Sequence, residues 1–198
     1  DDRHNTVLHN SMFMVGAIDA TAKIAQVLGQ EEDLAWLKDR RSILVNALNA
    51  LWQEDAGAYP DSIHADGKIS PKYSQHTAFL SLLFDIAEDR MRPGLLAHLM
   101  DPPENMTRIG SPFAILYLFS ALEKEGLGHE VIQRIRSAYQ PMLDIEATTV
   151  WETFAGALNY KGAFPTRSHT HAWSSAPVHF LNRIILGIVS DNTGCASF

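Results

Sequence analysis

The stretch VLHNSMFMVGAIDATAKIAQVLGQEEDLAWLKDRRSILVNALNALW, residues 7–52, decides the fold class of this chain. Its apolar residues recur at helical spacing. Leu8, Met12, Val15, Ala22, Ala25 and Leu28 share one stripe, and Gly29 stops it. A second helix is expected at once, from about Glu31 to Trp52, aligning Leu34, Leu37, Leu44, Leu48 and Leu51. Two such helices with almost no loop form a hairpin, and a hairpin must pack on neighbours to hide both stripes.

The rest of the chain keeps the same period. Between Asp55 and Pro71 it is broken by Gly57, Pro60, Gly67 and Pro71, with a short hairpin expected around Asp66-Gly67. A third helix is expected over Ser74–Ala87, and a fourth after Pro93 that ends before Pro102-Pro103. A fifth runs from Ser111 or Pro112 to Lys124, with Gly126 as its exit, and a sixth from His129 to Tyr139, halted near Pro141. The seventh, from His171 to about Val189, carries the stripe Phe180, Leu181, Ile184, Ile185 and Ile188. The reading is therefore all-α with roughly seven helices, at a spacing of about two per 45 residues and without literal repeats.

Composition narrows the function classes. Hydrophobic residues make up 46% and charged residues 20% of the 198, an ordinary globular balance. With 16 basic and 23 acidic residues the net charge is −7, which disfavours nucleic acid and anionic membranes as partners. No apolar run approaches the ~20 residues a membrane span needs. Cys195 is the only cysteine, so no internal disulfide forms, and the compartment stays open between secreted, periplasmic and cytoplasmic. The start at Asp1, without Met or a signal-like segment, suggests a processed, trimmed or cut-out piece.

One segment breaks the helical pattern in an informative way. From about Leu143 to His171 lies a loop rich in Trp, Phe and His, where loops beyond about 12–15 residues are usually functional or disordered. A lone loop glutamate is ordinarily a solvated carboxylate. Glu152, however, follows Trp151, which in a pocket would strip water from it, and Thr148 and Thr149 offer hydroxyls to orient it. His169 and His171 have a metal-ligand spacing, with His179 beyond, but the thiolate or extra carboxylate partners of a closed site are missing. No metal or other cofactor is called for. His171 suits a hydrogen bond to a sugar hydroxyl or a reacting water. Trp151 and Trp173 are either core or the wall of a sugar pocket, where an indole face stacks on a pyranose. Arg167 pairs with a loop carboxylate or lies exposed. Tyr59-Pro60-Asp61, Gln75 and Ser111-Pro112 read first as caps and turns, and no strained elbow supports a serine hydrolase.

Thr148-Thr-Val-Trp-Glu152 and Ser168-His-Thr-His-Ala-Trp-Ser-Ser-Ala-Pro177, leading to Leu186-Gly-Ile188, resemble the C-terminal part of bacterial and fungal α-L-rhamnosidase catalytic domains. Leu8-His-Asn10, Leu28-Gly29, Leu51-Trp52 before Gly57-Ala-Tyr59, and Gly110-Ser-Pro-Phe113 are similar too, so the resemblance spans nearly the whole chain. It implies an (α/α)6 toroid of six helical hairpins and hydrolysis of terminal α-L-rhamnosides with inversion. The inverting pair of carboxylates stands about 6.5–9.5 Å apart. The resemblance puts the general base on Glu152 and matches the family's histidine near the reacting water or the rhamnose to His171, with His169 the alternative; Trp151, Trp173 and Arg167 are further candidate substrate contacts.

The family's acidic motif for the general acid is missing. Seven helices also fall short of the twelve in a full toroid. The expectation is the second half of a six-hairpin barrel over residues 1–189, with 190–198 a linker towards a missing β-domain. Such a piece would associate with itself or with the missing half, and would be inactive by itself. Another six-hairpin glycosidase, fucosidase-like or glucoamylase-like, and a non-catalytic glycan- or protein-binding helical domain are the competing readings.

Overall fold

The computed structural model describes residues 6–154 and 168–190. The chain divides into two units, Asp1–Arg108 and Ile109–Phe198. Among the described residues there are seven α-helices and one pair of two-residue strands. No helix among them is long and apolar enough to cross a membrane.

In the first unit, α1 (Leu8–Val27) and α2 (Glu31–Asn49) form the expected hairpin. Gly29 turns it with φ +66°. Its N–H donates to the Gln26 carbonyl at 3.2 Å and that of Gln30 to Ala25 at 2.9 Å, a Schellman closure that occupies the last carbonyls of α1. Glu31, Glu32 and Asp33 then open α2, complementing its positive end. Of the two stripes, Leu8, Met12, Val15, Ala25, Leu37 and Leu48 are buried, whereas Leu28 is 64% exposed. Arg41 of α2 bonds Asp19 of α1 at 2.6 Å and the Phe84 carbonyl at 2.8 Å, tying three segments together.

The excursion after α2 is a small network of turns. β1 (Thr6–Val7) pairs antiparallel with β2 (Ser62–Ile63), Thr6 opposite Ile63. The hairpin at Asp66-Gly67 forms, with Gly67 at φ +81° and Ile63 bridged to Ile69. Tyr59 is fully buried and donates its hydroxyl to Asn49 Oδ1 at 2.6 Å. Next, α3 (Gln75–Leu83) is buried at seven of its nine residues, as befits a helix surrounded by its unit. It ends earlier than Ala87, because Asp85 adopts φ +48° and the Ile86 N–H turns back to Ser81. α4 (Arg92–Met100) has Pro93 in its first turn and buries Leu95 and Leu99.

In the second unit, Ser111 caps a 3-10 turn, Pro112–Ala114, which feeds α5 (Ile115–Lys124). Gly126, at φ +77°, closes α5 with the same Schellman pattern, Leu127 donating to Leu122 at 2.9 Å. α6 (Gly128–Asp144) corrects the expected halt near Pro141, since the helix carries Pro141 inside it. A proline forfeits one backbone bond. Here burial of Met142 and a third Schellman closure, Ala147 to Met142 at 2.9 Å, hold the last turn. The residue at the left-handed position is Glu146, φ +55°, not a glycine.

The seventh helix is also shorter than expected. α7 (Ala176–Phe180) gives way to a π-helical turn, Leu181–Ile185, and Gly187 at φ +69° ends the run. Of the apolar stripe read there only Phe180 is buried, against Phe119 with ring centroids 5.4 Å apart. Ile185 and Ile188 are 59% and 52% exposed. Arg183 pairs with both carboxylate oxygens of Glu123, at 2.9 and 3.1 Å. The expected linker lies outside the described residues beyond Ser190.

Candidate active site

Within the second unit, the segments around Glu152 and His171 lie side by side. The Glu152 N–H donates to the Ser168 carbonyl at 2.9 Å, and the His171 N–H to Val150 at 3.0 Å. Two side chains reinforce the pairing: Thr149 donates its hydroxyl to the His169 carbonyl, and Ser174 donates to Trp151. Tyr139 of α6 supports the turn from beneath with a 2.8 Å bond to the Ser174 carbonyl. Burial pushes the Tyr139 phenol well above its ordinary pKa, so it stays a donor.

Each imidazole lies on its own indole. Trp151 and His169 stack at 5.6 Å and 26°, Trp173 and His171 at 3.9 Å and 21°. Trp151 is only 2% exposed, so its ring packs as core beneath His169. Trp173 is 40% exposed and has Phe113 on its flank, 5.4 Å away and 46% exposed. His171 Nδ1 accepts from the Trp173 backbone N–H at 3.4 Å, capping the 3-10 turn Ala172–Ser174. An accepting Nδ1 leaves the imidazole proton on Nε2, so that nitrogen is the one with an N–H to offer.

Glu152 itself is half-buried. Its carbonyl takes two donors, the Trp173 indole N–H and the Ser111 hydroxyl, each at 3.2 Å. Of the two threonines expected to orient Glu152, Thr149 is used elsewhere: it serves the His169 carbonyl and, at 3.3 Å, receives the Thr170 hydroxyl. From sequence, Ser111 is expected to be a cap. It is one, accepting from the Phe113 N–H at 3.3 Å, and it also reaches Glu152. Its place where a loop meets a helix, open to a cavity mouth, and the Gly110-Ser-Pro-Phe113 pattern are the signals that point to more. Arg167 lies outside the described residues. Among the described residues no group of three His, Cys, Asp or Glu is placed to hold a metal ion.

Two cavities adjoin this turn, and Ala172 lines both. One, of about 490 Å³, is bordered by Tyr139, Met142, Thr148, Thr149, Thr170 and His171. The other, of about 390 Å³, is bordered by Phe113, Leu116, Trp173, Ala176 and His179. Both fall in the ~300–1,000 Å³ range of small-molecule sites. Threonine hydroxyls, an imidazole N–H and exposed aromatic rings suit an uncharged, hydroxyl-rich ligand.

Residues 1–185 match the family described as bacterial alpha-L-rhamnosidase 6 hairpin glycosidase domain. The chain belongs to that family. It is similar to the crystal structure of a GH78 family rhamnosidase of Bacillus sp. GL1, with TM-score 0.89 and 35% identity over 96% of this chain. It shares its fold with a rhamnosidase from Klebsiella oxytoca with rhamnose bound, TM-score 0.71 and 22% identity over 91% of this chain. This chain spans 20% of the Bacillus protein and 34% of the Klebsiella one. No curated protein matches it.

Proposed function

We propose that this chain forms part of an inverting glycoside hydrolase that removes terminal α-L-rhamnose. Glu152 is the general base that takes a proton from the attacking water. His171, through Nε2–H, donates to that water or to a sugar hydroxyl, and Trp173 offers ring surface to the pyranose. Trp151 is the packed layer behind them, with the exposed His169 stacked on it, and Arg167 contributes a sugar contact. The general acid comes from residues outside these 198. The chain by itself is therefore inactive, and works joined to further polypeptide or to a second copy. The exposed Ile24, Leu28 and Trp36, at 60%, 64% and 58%, support such a partnership.

The observation that carries the reading is the setting of Glu152. It is half-buried, bonded through its backbone to Ser168, Ser111 and Trp173, and one residue from the stacked rings. Family membership and the likeness to the Bacillus rhamnosidase support the substrate class. The test is the anomer first formed when the full-length protein cleaves an aryl α-L-rhamnoside, followed by proton NMR. β-Rhamnose appearing first is the expected outcome. α-Rhamnose first, or no cleavage of rhamnosides by an active preparation, contradicts it.

A further inference from the structure

Glu152 stands on a loop, where no helical ladder fixes the backbone that aims its carboxylate. Its own amide donates to Ser168 at 2.9 Å, and its carbonyl receives Ser111 and Trp173 at 3.2 Å each. A carbonyl has two lone pairs, so the hydrogen-bonding capacity of the Glu152 main chain is fully used. Ser111 differs from the other two anchors in its origin. It lies 41 residues earlier in the sequence, and it is joined through the Phe113 N–H to the head of α5. That helix is held by buried Ile115, Leu118, Phe119 and Leu122. The bond therefore connects a loop carboxylate to a rigid, packed element.

We propose that Ser111 is a positioning residue for Glu152, its hydroxyl clamping the carbonyl that sets where the carboxylate points. The inference rests on Glu152 being the general base. Productive geometry tolerates only about 0.5 Å of drift, and misplacement by about 1 Å costs up to ~100-fold in rate. Losing one of two clamps on the carbonyl amounts to about one neutral hydrogen bond, or roughly tenfold in kcat.

The experiment measures kcat, KM and melting temperature for Ser111→Ala, Ser111→Thr, Ser111→Asp and Glu152→Gln in the full-length protein, on an aryl α-L-rhamnoside. Ser111→Ala lowers kcat about tenfold and leaves KM within about twofold, the signature of lost transition-state geometry. Ser111→Thr keeps both hydroxyl bonds and restores kcat. Ser111→Asp keeps the acceptor for the Phe113 N–H but has no hydroxyl to donate, so it retains the melting temperature and still loses kcat. A purely capping residue gives the opposite, an active Ser111→Asp enzyme. Wild-type kcat in both Ser111→Ala and Ser111→Asp, with Glu152→Gln inactive, overturns the positioning role and leaves the base in place. Turnover surviving in Glu152→Gln removes the base, and this role with it.

Discussion

The indole of Trp173 donates its N–H to the Glu152 carbonyl at 3.2 Å while its ring lies 3.9 Å from that of His171. One side chain thus connects the carboxylate-bearing residue to the imidazole. Trp173→Phe keeps the ring and deletes the donor, so kcat on an aryl rhamnoside should fall about tenfold with the melting temperature little changed. Trp173→Ala also removes the stack, and the fall should reach about 100-fold. Steady-state kinetics of the two variants side by side checks the order.

Two glycines should respond to alanine for different reasons. At Gly126, φ +77°, nothing lies within 4 Å of where a Cβ would go, so the cost of alanine is conformational, about 1 kcal/mol. At Gly16 in α1, a Cβ would meet Phe84 ring carbons at 2.5 and 2.6 Å. The clash, about 1–3 kcal/mol, outweighs the ~1 kcal/mol that alanine gains in a helix. Gly16→Ala should therefore destabilise the wild type yet stabilise a Phe84→Ala background. Urea melts of the four proteins test that change of sign.

Phe180 is fully buried against Phe119 and is the one stripe residue of α7 that reaches the core. Phe180→Ala should cost about 3–5 kcal/mol. Ile185→Ala and Ile188→Ala, at exposed positions, should stay within about 0.5 kcal/mol. Differential scanning fluorimetry of the three variants is sufficient.

Burial raises the pKa of the Tyr59 and Tyr139 phenols in the folded chain. The unfolded phenols titrate near ~10, so their stability contribution is fully present below that pH. Above it the unfolded chain releases protons that the folded one retains, and stability falls as pH rises. Absorbance at the tyrosinate band should show a component that ionises only as the protein unfolds and that shrinks in Tyr59→Phe and in Tyr139→Phe.

Much of the fold was legible because local chemistry and global packing agree. Gly29 and Gly126 mark helix ends from sequence, and both adopt the left-handed conformation that the closure needs. The end of α6 was not legible, since Pro141 signals a stop one turn early and the left-handed residue is Glu146. There, burial of Met142 overrides the proline. The seventh helix was over-extended because a repeating apolar stripe does not reveal a π-helical turn, nor which of its residues find partners. At the site, the aromatic and histidine pattern marks two segments that the structure brings side by side. The clamp from Ser111 joins residues 41 positions apart, and no local signal encodes such a contact.

Whether Glu152 takes the proton from water is read out by Glu152→Gln in the full-length protein. Turnover of an aryl α-L-rhamnoside and rhamnose affinity by calorimetry are measured on the same preparation. With Glu152 as the base, kcat falls about 1,000-fold and the dissociation constant stays essentially unchanged. A variant that turns over within about threefold of the wild type contradicts it.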